Sequence, residues 1–220
     1  MALPTYLSIV NDVMVRLREP IVTSVSENTL SALVGKFVND TKRSVADAYD
    51  WDAFNIGITV ALTANVSGGY SITGAGVRFK TVNVINTTNY YELTPLSHQQ
   101  YNNYYYTTVS PQTGQPQNYT FGTVDTNGDL KVSFWPIPSS ADNIRFSLIV
   151  PENDFSADAD TTLLSKEPII LGAYARALVE RGEDGGLNSS EAYGIYKASL
   201  SDLIALELAR SPENDAFTSV

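Results

Sequence analysis

The stretch Tyr49-Asp50-Trp51-Asp52-Ala53-Phe54-Asn55-Ile56-Gly57-Ile58-Thr59-Val60 decides how this chain is read, because the spacing of apolar residues changes within it. Ahead of it they recur every three or four positions, and from Asn55 onward every second one. The first spacing builds one face of a helix and the second one face of a strand. A helical segment therefore gives way to β structure here, which makes Trp51 and Phe54 the candidate domain junction.

Working back from the junction, Leu30, Leu33, Val34, Phe37, Val38, Val45, Ala48 and Tyr49 fall on one helical face, and Ser24 with Glu27 three residues on has the capping-box pattern for its start. Lys36, Asp40, Arg43 and Asp47 occupy the opposite face with alternating sign, which reads as a solvated surface of weak ion pairs or as a contact between subunits. An earlier helix carries Leu7, Val10, Val13, Met14 and Leu17 between Pro4-Thr5 and Pro20.

Working forward, short β-branched or aromatic runs at 56–60, 77–82, 90–93 and 118–121 are separated by Gly-, Asn-, Ser- and Thr-rich turns. Asn127-Gly128 between Phe121-Gly122-Thr123-Val124 and Leu130-Lys131-Val132-Ser133-Phe134-Trp135 predicts a hairpin with a type I′ turn. Residues 143–150 alternate polar with apolar as a last strand, ended by Pro151. Helix resumes after Ser165 and Glu167-Pro168, with Ile169, Ile170, Ala173, Tyr174, Ala177 and Leu178 on one face up to Gly182. Gly185-Gly186 breaks it. Asn188 with Glu191 is the expected cap of a final helix that buries Tyr193, Tyr196, Leu200, Leu203 and Ile204 and stops before Ser211-Pro212.

Neither helix pair can bury its stripe alone, so the expected fold is α+β: a four-helix bundle built from both chain ends with an inserted antiparallel β domain. The corresponding domains are 1–52 with 163–210 for the bundle, 53–162 for the insertion and 211–220 for a tail. At 220 residues, 43% of them hydrophobic, the chain can bury such a core.

Composition narrows the function. Without cysteine there is no disulfide and no thiolate nucleophile or ligand. His98 is the single histidine, so a multi-histidine metal centre is excluded, and its setting shows no nucleophile elbow. Gly68-Gly69 and Gly74-Ala75-Gly76 lack the Gly-Lys-Ser/Thr of a phosphate loop and read as β turns; Asp125-Thr126-Asn127-Gly128-Asp129 lacks the distal glutamate of a calcium loop. Asp154, Asp158 and Asp160 could gather round a hard cation or simply line a solvated connector. No cofactor is expected. Fourteen Lys and Arg against 24 Asp and Glu give a net charge of −10, which disfavours tight binding to phosphates yet suits a wall past which duplex DNA slides. Met1-Ala2-Leu3-Pro4-Thr5 opens no signal-peptide pattern and no apolar run spans a bilayer, so the expectation is a soluble, unexported chain with no membrane partner.

Tyr101-Asn102-Asn103-Tyr104-Tyr105-Tyr106 is the most unusual composition. Tyrosines among amides suit protein interfaces, since a rigid ring buries much area while its hydroxyl tolerates water; ordinary core and β-surface positions, or stacking on sugars and bases, are the other readings.

A first helix closing at Leu17-Arg18-Glu19-Pro20, a short link, and a long helix that ends in Tyr49-Asp50-Trp51-Asp52-Ala53-Phe54-Asn55 and passes into β structure resemble tail tubular protein A, the head-to-tail adaptor of short-tailed bacteriophages. The resemblance extends over nearly the whole chain. It implies a non-enzymatic virion subunit of the tail or neck, assembled in the host cytoplasm. Such subunits form a dodecameric ring that binds the portal protein above and a tail nozzle protein below, carries fibres or spikes at its side and passes DNA during ejection. It further implies that the C-terminal segment reaches the portal, with Arg210, Phe217 and Val220 as contact candidates, while Tyr101, Tyr104, Tyr105 and Tyr106 are candidates for nozzle or fibre. Two other classes remain beside it: a receptor- or carbohydrate-binding β module of a phage tail, and a hydrolase using paired carboxylates, for which no spacing singles out a pair.

Overall fold

Capping chemistry sets where the N-terminal helices begin in the computed structural model, which describes residues 3–107, 110–182 and 187–210. The Thr5 hydroxyl accepts from Ser8 N while Ser8 Oγ takes Thr5 N, opening α1 (Tyr6–Arg16). Asn28 and Ser31 repeat the exchange for α2 (Thr29–Ala46). The expected Ser24–Glu27 box is therefore not the helix start. Glu27 instead accepts from Thr23 N (2.6 Å) and Thr23 Oγ1 (2.8 Å), closing a loop just before the cap. Because α2 ends at Ala46, Ala48 leaves the apolar face and is exposed.

The remaining helices are α3 (His98–Tyr106), α4 (Lys166–Arg181) and α5 (Leu187–Arg210), and the fold is mixed α+β with antiparallel sheets. The chain divides into two compact units: one runs through Ala53 and resumes at Glu152, the other spans Phe54–Pro151.

In the helical unit α4 packs against α1, α2 and α5. At Gly172 a Cβ would collide with Thr41 of α2 and Tyr196 of α5, so the close approach of all three depends on glycine. Gly182, at φ 61°, ends α4 in the left-handed conformation that glycine adopts without steric cost. Ala192, Tyr196 and Leu200 are the buried hydrophobic residues of α5; Leu203 and Ile204 are half-buried, and Tyr193, expected inside, is 52% exposed. Asn188 sits within α5, not at a cap; the Gly185-Gly186 break lies outside the described residues.

The segment following Glu152 locks onto the first two helices. Carbonyls of Asp160 and Asp158 accept the otherwise unpaired amides of Tyr6 (2.8 Å) and Leu7 (3.1 Å) in the first turn of α1. Phe155 stacks on Tyr6 with centroids 4.9 Å apart, and Asn39 exchanges two hydrogen bonds with the Phe155 backbone. Lys42, 3% exposed, donates to Asn153 O (2.7 Å), pairs with Glu152 (3.2 Å) and sits 4.0 Å above the Phe155 ring.

The second unit holds strands β1 (Asn55–Ala61), β2 (Gly68–Ser71), β3 (Lys80–Asn86), β4 (Tyr91–Glu92), β5 (Thr94–Pro95), β6 (Thr113–Gly114), β7 (Asn118–Val124), β8 (Leu130–Trp135), β9 (Ile137–Pro138) and β10 (Asn143–Ile149). One sheet has the order β1-β10-β3-β4 and the other β2-β8-β7-β5; β5 joins β7, and β6 joins β9, as short parallel pairs. Ile144, Phe146 and Leu148 alternate inward along β10 and meet Val132 and Phe134 of β8 in a shared core, Phe134 and Phe146 lying 6.4 Å apart. The β7–β8 hairpin forms between Val124 and Leu130, but its turn differs from type I′, which needs two positive φ angles: only Gly128 is left-handed (φ 89°). The Asp125 carboxylate accepts from Asn127 N (2.8 Å) and Asp129 N (3.0 Å), holding Asn127 out of that region. The strand expected at 77–82 starts at Lys80, with Val77 exposed.

Candidate interaction surfaces

The tyrosine cluster forms a helix inside the β unit. Ser97 Oγ accepts from Gln100 N, and Gln100 Oε1 accepts from Ser97 N, both at 3.2 Å, so a capping box starts α3 directly after β5. Helical spacing then sorts the rings. Tyr101 is buried and stacks on Tyr105 one turn later, at 5.8 Å. Tyr104 lies over Trp135 at 5.8 Å yet stays 46% exposed, and Tyr106, 74% exposed, meets Tyr105 edge-on at 4.9 Å. Three packed rings thus fix a platform from which Tyr104 and Tyr106 face solvent. Tyrosine's β propensity hides this helix in the sequence; the signals for it are Ser97 with Gln100 and the three- and four-residue spacing of Tyr101, Tyr104 and Tyr105. His98 is exposed in the first turn of α3.

In the helical unit α2, α4 and α5 line a groove of about 710 Å³, with Ala175, Arg176 and Val179 from α4, Phe37 from α2, and Tyr193 and Lys197 from α5. The Lys197 ammonium lies 5.4 Å from the Tyr193 ring and 5.8 Å from that of Tyr196. Burial pushes the Tyr196 hydroxyl above its ordinary pKa despite that cation.

Trp51 is 2% exposed, donates Nε1–H to Val45 O (2.9 Å) and meets Tyr49 edge-on at 5.5 Å. Phe54 opens the β unit as a buried ring whose carbonyl accepts from Val150 N at 2.9 Å. Arg210, exposed at the end of α5, pairs with Glu207 at 3.2 Å; Glu207 is itself buried and accepts the Asp52 amide at 3.0 Å. Phe217 and Val220 lie outside the described residues.

The acidic connector does not gather. Asp154 pairs with Arg43 at 3.0 Å, Asp158 accepts Val25 N at 3.2 Å, and Asp160 accepts from Ser156 and Ala157. Hydrogen bonds from the backbone of Ala157 and Ser156 hold the Asp160 carboxyl below the usual carboxylate range. No cluster of His, Asp or Glu suited to a metal ion occurs among the described residues. The glycine loop is likewise satisfied from within: the amides of Gly74 (3.0 Å) and Gly76 (2.9 Å) close on the buried Asp129 carboxylate.

A family model for the SU10 adaptor protein matches residues 4–217, a span that takes in the helices on both sides of the β unit and the β unit itself. The chain belongs to the SU10 adaptor protein family. It is a phage head-to-tail adaptor, in line with the resemblance drawn from Trp51 and its neighbours. As an SU10 adaptor protein it is a structural component of the virion neck, made to contact other head and tail proteins. No curated protein matches the chain. No helix among the described residues is long and apolar enough to cross a membrane.

Proposed function

We propose that this adaptor closes into a ring, dodecameric as the resemblance implies, between the portal protein and the tail nozzle protein, and that duplex DNA passes through it during ejection. The family match over 4–217 is the observation that carries this reading. In it, α1, α2, α4 and α5 act as one four-helix bundle made from both chain ends, the β unit is an inserted attachment domain, and residues 211–220 are a portal-binding tail. The tyrosine platform of α3 meets the nozzle or a fibre or spike: Tyr104, backed by Trp135, and Tyr106, backed by Tyr105, supply exposed rings, and Tyr101 packs beneath Tyr105. Arg210, Phe217 and Val220 take the portal side. A net charge of −10 keeps DNA from adhering to the channel, since weak phosphate contact lets the duplex slide.

Deletion after Arg210 tests the portal assignment. The shortened subunit should fold and melt as the full chain does but fail to attach to portal-bearing heads. Completion of infectious particles by the shortened subunit would overturn it.

A further inference from the structure

Strand β1 is the outer strand of its sheet, bonded on one side only among the described residues, to β10. Which of its groups face outward follows from the ladder's alternation. Phe54 O accepts from Val150 N, and Leu62 N donates to Asp142 O, so the even-numbered residues between them are the ones bonded to β10. Asn55, Gly57, Thr59 and Ala61 therefore direct their N–H and C=O groups away from the sheet, and all four are exposed.

Edge strands of soluble proteins are commonly blunted by proline, by charge or by shortness. Over its seven residues, Asn-Ile-Gly-Ile-Thr-Val-Ala, β1 has no proline and no charged side chain. The charged side chain that crosses it is Arg145 of β10. Paired across from Thr59, Arg145 reaches over β1 so that any side chain at Gly57 would strike the guanidinium; the glycine is what lets the planar group lie there. Arg145 is exposed and has no ion pair among the described residues. With its head over β1, it stands about one inter-strand spacing, ~4.8 Å, from where an added strand would run. A carboxylate on that strand would meet a guanidinium already in place.

We propose that the β1 edge is a docking site for an extended, acidic segment of another particle protein, which adds to the sheet beside β1 with a carboxylate set against Arg145. Main-chain bonds to Asn55, Gly57, Thr59 and Ala61 supply the affinity, and Arg145 selects the charge of the incoming strand. This surface is separate from the α3 tyrosines, since α3 packs on β7 of the other sheet, and it does not require a ring.

The test uses the full chain and two capped heptapeptides, Thr-Val-Thr-Glu-Thr-Val-Thr and its lysine counterpart, with amide exchange followed residue by residue by NMR. The glutamate peptide should slow exchange at Gly57 and Thr59, leaving Ile56 and Ile58, already bonded to β10, unchanged. The lysine peptide should bind about fivefold more weakly, the scale of one exposed charge contact. Arg145→Glu should invert that order. Thr59→Pro removes an outward N–H that the sheet does not use, so it should keep the melting curve and abolish the protection. Three results overturn the proposal: no protection by either peptide, equal protection by both, or protection that rises with protein concentration in the absence of peptide, which would give the edge to a second copy of this chain.

Discussion

The helical unit and the β unit are held together in opposite ways. Hydrogen bonds that lock the helical unit join residues far apart in sequence: Lys42 to Asn153, Asn39 to Phe155, Asp52 to Glu207, with separations of 111, 116 and 155 positions. The β unit closes on itself, because its first and last strands, β1 and β10, are paired from Asn55↔Ile149 to Ala61↔Asn143. A fold whose ends meet can form before its surroundings do, whereas one whose halves flank an insertion must first meet the entropy of closing that loop. The difference identifies the β unit as the self-contained part and the helical unit as the part that depends on both ends of the chain.

The strongest way to break this contrast is to cut the chain. A fragment of residues 54–151 should give a dispersed NMR spectrum and a cooperative melt, while residues 1–53 alone should stay unfolded, since α1 and α2 lose α4 and the Phe155 segment. A cooperative melt for 1–53 would mean that the long-range contacts are dispensable. Next in size is Trp51→Ala. Removing a buried ring together with its bond to Val45 O should cost about 3–5 kcal/mol, and amide exchange should place the loss in the helical unit; an unchanged melting curve would contradict the packing.

Buried charges sharpen the comparison further. Lys42→Ala removes a hydrogen-bonded ammonium and should destabilise the helical unit by about 1.5–3 kcal/mol, and Asp129→Ala should cost the β unit a similar amount by freeing the amides of Gly74 and Gly76. Exchange rates should assign each loss to its own unit; loss in both units from either substitution would show that they are coupled. The smallest effect is expected at Tyr106→Ala, within about 0.5 kcal/mol in stability, because its ring is mostly in solvent. Its consequence should appear instead as weaker attachment of nozzle or fibre, measured by co-sedimentation with assembled particles.

Legibility from sequence follows the same divide between local and distant causes. The start of α1 at Thr5, the end of α4 at Gly182 and the β7–β8 hairpin are set by residues within a few positions, and all were readable. Asn28 took the cap from Ser24 because Ser31 both completes the exchange and reaches Val25 O at 2.9 Å, a competition that spacing alone does not decide. The burial of Lys42 was not readable, because it depends on Glu152, Asn153 and Phe155, more than a hundred residues on. At the candidate surface, the tyrosine cluster stood out by composition, but its helix did not, since aromatic β propensity outweighed a four-residue cap signal. The outward turn of Tyr193 depends on which face of α5 meets α4, and Gly172 opposite Tyr196 sets that only in three dimensions.

The proposed ring of this SU10 adaptor protein, joining head to tail, is tested most directly by a single-particle reconstruction of the particle neck. The expected result is a closed ring of this chain between portal and nozzle, with residues beyond Arg210 against the portal and the α3 tyrosines against a tail component. A neck in which this chain is absent, or in which it sits as isolated copies at the tail periphery, would contradict it.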